Sequence, residues 1–363
     1  TCKGGTYSSP GSSTCTSCIS GQYSLPQSSA CTDCPAGSFT PNAGMTACNS
    51  CKIGMVSMAR ASNCTACSPG QYSTDRINCL SCGPGKYADK SGATSCSECS
   101  AGKFSVMKAP TCTSCIPGKY SLAGYSTCLT CNAGTISVAE SAKCSPCTIG
   151  KYAASIGSTA CSICPYGTYT QPAASACTKC PSGKYQRAVG QGSCDTCLPG
   201  TYSSEGSKAC IACNAGYFSA SGSDKCQSCP SGKSSDVAQE ECDTCIPGKF
   251  SLPNADNCTF CKPGQHQKAY GASTCVNCPN GAISTGKGAA NCTQCTEGKF
   301  RSDLTTCSLC PPGKYASGLG TEGLCTTCPS GRYSLTGARK CEICKRGSYA
   351  LAGSSQCIMC KKG

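Results

Sequence analysis

The chain has 363 residues, 31 basic and 17 acidic, for a formal net charge of +14. Hydrophobic residues make up 39%, but 45 of them are cysteines and there is no Trp. Without the cysteines the apolar share falls below that of a globular protein, which excludes two or three ordinary hydrophobic-core domains. So high a cysteine content is the mark of a disulfide scaffold and predicts an oxidising, extracellular setting, secreted or on a cell surface. The sequence pI near 8.5 counts titrating thiols, so the cross-linked chain should be more basic. No apolar run is long enough to span a membrane, and no signal peptide is present.

In chain order, a lone Cys2 comes first, and 22 Cys-x-x-Cys pairs follow, from Cys15/Cys18 to Cys357/Cys360. Residues 1–363 therefore read as one continuous array of about 22 repeats of ~16 residues, without linker or separate domain. The array starts and stops mid-repeat, as expected of a segment cut from a longer one. The second Cys of every pair, and Cys2, has Gly three residues later, as at Gly5, Gly21, Gly118 and Gly347. Pro often precedes that Gly (Pro84, Pro117, Pro199, Pro247), the pairing of a type II turn with positive φ at Gly. Two residues past the Gly, 17 of 22 repeats carry an aromatic, among them Tyr7, Tyr23, Phe39, Tyr87, Phe104, Tyr185, Phe250 and Tyr349. The exceptions are Val56, Ile136, Ser234, His266 and Ile283. The rings are expected to pack on neighbouring disulfides; a row of exposed rings stacking on sugars is the alternative. A variable loop follows, longest at 318–324. With no 3.6-residue period, the fold class is small disulfide-rich tandem repeats, short β-strands and turns without helix, stacked into an elongated rod.

One cysteine pairing is favoured: the second Cys of each pair bonds the first of the next. That gives Cys2–Cys15, Cys18–Cys31, Cys34–Cys48, Cys51–Cys64, Cys67–Cys79, Cys82–Cys96 and so on to Cys344–Cys357. Cys2 gains a partner, and Cys360 is left unpaired or intermolecular. An interleaved scheme, tying a repeat to its second neighbour, is the rival, because connectivity is not fixed by spacing. The spacing also suits zinc; the odd count, the unbroken register and the Gly–aromatic loops weigh against it.

The segments Cys31-Thr-Asp-Cys-Pro-Ala-Gly-Ser-Phe and Cys177-Thr-Lys-Cys-Pro-Ser-Gly-Lys-Tyr carry a resemblance. Their pattern resembles the cysteine-rich repeats named for ephrin receptors and is similar to the first loop of tumour-necrosis-factor-receptor modules. The resemblance implies an extracellular, disulfide-bonded, elongated module without enzymatic activity, and it brings no ligand-binding residues with it. Uninterrupted arrays of this kind look like large cell-surface proteins of protists and algae, including those of extracellular filaments such as flagellar hairs.

No catalytic constellation or cofactor motif stands out. The single His266 occupies a ring position and reads as a ring substitute. Asn63, Asn257 and Asn291 each open an Asn-Cys-Thr sequon, so the only attached groups expected are N-linked and O-linked glycans. The residue between Gly and ring is often basic: Lys86, Lys103, Lys119, Lys151, Lys184, Lys233, Lys249, Lys299, Lys314 and Arg332. In superposed repeats these form a stripe, serving solubility or contact with acidic polysaccharide; nucleic acid is not expected as a partner. Two functions are weighed: a structural, non-enzymatic building block of an extracellular filament or coat, and the stalk of a receptor or adhesin binding protein or polysaccharide ligands. Expected partners are other copies of the chain, head to tail or side by side, and other matrix or filament proteins.

Overall fold

The computed structural model describes residues 1–320 and 324–361. Residues 321–323 of the longest loop, and Gly363 after Cys360, lie outside the described residues. The chain divides into two compact units, one of residues 1–178 with 189–193 and one of 179–188 with 194–363. Both are built from the same repeat.

Each repeat is a two-stranded antiparallel sheet, 22 in all, and there is no helix among the described residues. The repeat opened by Cys115 shows why. Its turn runs Ile116-Pro117-Gly118-Lys119, closed by the Lys119 amide donating to the Ile116 carbonyl at 3.1 Å. Pro117 fixes the first central φ, and Gly118 sits at φ 82°, the left-handed value a type II turn requires at its second central position. Strand Lys119–Tyr120 then pairs with Leu129–Thr130. The Cys115–Cys128 disulfide closes the hairpin across 13 residues.

All 22 bridges follow this rule, from Cys2–Cys15 to Cys344–Cys357, with sequence separations of 12 to 15. Cys360 is free and exposed. An isolated hairpin of this size is marginal in water, and one bridge over such a loop supplies roughly 3 kcal/mol. The remainder comes from neighbouring repeats.

In the first compact unit, Gly118 N donates to Ser137 O of the next repeat at 3.0 Å, and Gly124 N donates back to Cys99 O at 2.9 Å. The Ser121 hydroxyl reaches Lys103 O of the preceding repeat at 3.0 Å. Tyr120 and Ser141, in successive repeats, form a parallel bridge. Contact also skips one repeat: a Cβ on Gly118 would lie 2.1 Å from Gly157 O.

The second unit repeats the scheme. Gly232 N donates to Ser251 O and Asn254 N to Cys229 O, at 3.0 and 2.9 Å. The Ser251 hydroxyl donates to Lys233 O at 2.8 Å. A Cβ on Gly232 would meet Gly271 O at 2.0 Å.

A ring packs on a neighbouring disulfide as expected at Phe300, which lies against the buried cluster of Cys310, Ala316 and Cys325, whose Cys310–Cys325 bridge belongs to the next repeat. Fully buried positions include most opening cysteines, such as Cys34, Cys115 and Cys229, and small residues that follow the ring position, such as Thr40, Ser121 and Ser235. The rings are half-buried and Tyr349 is exposed. A ring two residues past the turn lies on the first strand of its hairpin and keeps part of its surface in solvent. Buried hydroxyls are tolerated there because they find partners, mostly a carbonyl of the preceding repeat, as Ser105 does at Lys86 O and Ser235 at Tyr217 O.

Candidate interaction surface

Among the described residues, three surface features could do chemistry: the cation row, the grooves between repeats, and a few side chains off the repeat plan.

The ten basic residues Lys86, Lys103, Lys119, Lys151, Lys184, Lys233, Lys249, Lys299, Lys314 and Arg332 all open the first strand of their hairpins. Where successive repeats carry them, the buried serine ladder pins one to the next. Lys86 O accepts the Ser105 hydroxyl, in the repeat of Lys103, at 2.9 Å, and Lys103 O that of Ser121, in the repeat of Lys119, at 3.0 Å. Lys314 O accepts from Ser334, in the repeat of Arg332, at 2.9 Å.

The row is not electrically uniform. Lys86 pairs with Glu98 across the hairpin and Lys103 with Glu140, each at 3.6 Å. Glu140 is held below the usual carboxylate range, first by the Ser114 hydroxyl and then by Lys103. Lys249 lies over the Phe260 ring, 4.3 Å from its centroid. The other seven make no ion pair with an acid among the described residues.

Between adjacent repeats runs a groove that recurs at equivalent positions. Its floor is the ring of one repeat; its far wall is the turn and first strand of the next; its lip is the residue before the closing cysteine. It is lined by Phe39, Lys52, Met55 and Asn63 in a cavity of about 440 Å³. Tyr87, Glu98, Ser100 and Lys103 line one of about 250 Å³. A third, about 510 Å³, is formed by Tyr333, Glu342, Lys345, Arg346, Ser348 and Gln356. Sequence reading found the rings but not the groove, because only the inter-repeat register brings the turn of one repeat over the ring of another.

All three sequon residues, Asn63, Asn257 and Asn291, are exposed and immediately precede a cross-linked closing cysteine. Asn63 forms the lip of a groove. His266 stands at its ring position on strand Gln265–His266, with Nδ1 buried and without a hydrogen-bond partner. It lies within 4.8 Å of the sulfurs of Cys278 and Cys292, but those two form a disulfide and offer no thiolate to a metal. In another loop, Asp75 accepts from the amides of Ile77 and Asn78 at 2.8 and 2.9 Å. These bonds, Asn78 foremost, lower its pKa to about 2.

Two structural residues escaped the sequence reading. The serine after the ring belongs to the repeat's own pattern, yet its burial and its bond to the preceding repeat appear only in the fold. The second is a left-handed residue in the loop, such as Gly124, Gly157, Arg60 or Glu140, whose carbonyl abuts a turn glycine two repeats earlier. Its signal was a Gly recurring six or seven residues past the turn, blurred wherever another residue takes the position.

Comparison with known proteins agrees with this architecture. The family model described as tyrosine-protein kinase ephrin type A/B receptor-like matches residues 134–176, 167–202 and 200–242. No curated protein matches the chain. Repeats of this type are non-catalytic ectodomain modules, of extracellular character, and here disulfides cross-link them. The stretch 134–242 thus consists of ephrin-receptor-like cysteine-rich repeats, and the hairpins before and after it are built to the same disulfide plan.

Proposed function

We propose that the chain is a structural, non-enzymatic building block of an extracellular filament or cell-surface coat. The observation that carries this reading is where its chemistry is spent. Opening cysteines, turn glycines and buried serines of successive repeats are engaged in cross-links and neighbour contacts, as with Cys115, Gly118 and Ser121. What is left for the surface is short and repetitive. Copies would associate head to tail or laterally, with the exposed Cys360 thiol available to an intermolecular bridge and exposed Asn63, Asn257 and Asn291 available to glycans.

Electron microscopy of native material tests the reading. Ordered filaments with a constant axial repeat are expected; isolated particles at all concentrations would count against it. A second reading, the ectodomain of a receptor or adhesin, is favoured by the ephrin-receptor-like matches over 134–242. It predicts isolated particles and a ligand retained by them.

A further inference from the structure

The inter-repeat groove at Tyr333–Met359 differs from the others in charge, and that difference identifies what it would hold. Both residues preceding turn glycine Gly347 are basic, Lys345 and Arg346; at the groove of residues 39–64 the same two positions hold Lys52 and Ile53, and at 87–112 Ser100 and Ala101. Lys345 and Arg346 are exposed and make no ion pair with an acid among the described residues. In the groove of residues 87–112 the cation Lys103 is instead matched to Glu140, and Glu98 to Lys86. Around the larger groove, Arg332 donates to Cys341 O at 3.3 Å and Arg339 pairs with Glu297 at 3.5 Å, so the groove lining sets two cations, Lys345 and Arg346, against the single acid Glu342.

The floor is the half-buried Tyr333 ring. Across the hairpin Glu342 faces it in register, and Ser348 and Gln356 add a hydroxyl and an amide. The cavity, about 510 Å³, is within the range of small-ligand sites.

We propose that this groove binds a segment of an acidic polysaccharide. A sugar ring presents an apolar C–H face to Tyr333, an amphipathic platform with one wet edge. Its carboxylate or sulfate meets Arg346, whose planar fork suits two-oxygen anions, and Lys345 as a point charge. Glu342 accepts from sugar hydroxyls and repels a second anion, so the groove selects a chain whose charges are spaced apart rather than a dense polyphosphate. Carboxylated and sulfated glycans share this chemistry.

The test uses the full, oxidised chain, titrated calorimetrically at low salt with an oligogalacturonate, a dextran sulfate oligosaccharide and unmodified dextran of equal length. Binding of at least one anionic probe and none of dextran is expected, and which anion binds identifies the group. The pair Lys345→Gln with Arg346→Gln should weaken binding at least tenfold. The pair Lys86→Gln with Lys103→Gln, which removes the same formal charge elsewhere, should change it less than twofold. Tyr333→Leu should weaken saccharide binding severalfold; because that change could disturb the repeat, the Lys345/Arg346 pair decides, with an unchanged non-reduced mass showing all bridges intact. Equal loss in both pairs would mean diffuse charge attraction and overturn the site. Failure of both anionic probes to bind overturns it as well, as does displacement of the bound oligosaccharide by anionic phospholipid vesicles.

Discussion

A methyl group on Gly118 would sit 2.1 Å from the carbonyl oxygen of Gly157, two repeats away. Gly331 has the same backbone conformation, φ 85°, but nothing within 4 Å of its missing Cβ. The two positions therefore separate backbone strain from inter-repeat contact. Gly331→Ala should cost about 1–2 kcal/mol, the price of a left-handed alanine. Gly118→Ala should cost more, because the carbonyl it meets is itself held in the stack. Hydrogen exchange across residues 99–157 for the first variant and around the Cys328–Cys341 repeat for the second measures the difference, and equal protection losses in the two would remove the second-neighbour contact from the account. Asp75 works locally. Its carboxylate takes two amide bonds, so its folded pKa, about 2, lies below its ordinary value of 3.8. A depressed acid stabilises the loop above its unfolded pKa and loses that contribution as pH falls from 3.8 toward 2. A carboxyl NMR titration of Asp75 with a midpoint near 3.8 would contradict the assignment; Asp75→Asn should flatten the acid dependence of the 73–78 loop.

At the level of the repeat, the disulfide and the neighbour bonds divide the work. Replacing Cys115 and Cys128 together by Ser removes the closure of a 13-residue loop, roughly 3 kcal/mol. In a linear array, stability is a sum of repeat and nearest-neighbour terms. The loss should therefore appear as faster amide exchange from about Cys99 to Cys147 and fade beyond the second neighbour; uniform acceleration through residues 1–178 would show a cooperative block instead. Most of this element was legible in the sequence. The Gly after every second cysteine encoded the turn, Pro117 its type, and the parity of Cys2 a sequential pairing, because each of these is a requirement within one repeat. What stayed hidden arises between repeats. Ser121 is an unremarkable small polar residue until Lys103 O lies 3.0 Å from its hydroxyl. Tyr120 reads as a core ring, yet the buried volume goes to cysteine and serine. The row of lysines was visible, but its neutralisation at Lys86 and Lys103 depends on Glu98 across the hairpin and on Glu140 two repeats on, in a separate loop.

For the molecule as a whole, the makeup of the interior dictates an unusual thermodynamic signature. Its buried hydrophobic residues are cysteines and alanines alone, while leucines, isoleucines and methionines such as Leu25, Met58, Ile116 and Leu198 stay exposed. The heat-capacity increment of unfolding tracks newly exposed apolar surface, near 12–15 cal/mol/K per residue in globular proteins, or about 4–5 kcal/mol/K for a chain of this length. Two features push it well below that here. Little aliphatic surface is hidden to begin with, and the 22 bridges, at separations of no more than 15, keep the unfolded chain compact. Calorimetry of the oxidised protein should give less than half the globular increment. Reduction without denaturant should then abolish the cooperative transition, because thiols alone cannot offset the backbone entropy of ordering, and the mass should rise by two hydrogens per bridge. A reduced chain that kept its strand signal and a sharp calorimetric peak would mean that hydrogen bonds between repeats suffice, and that the disulfides only lock a fold that exists without them.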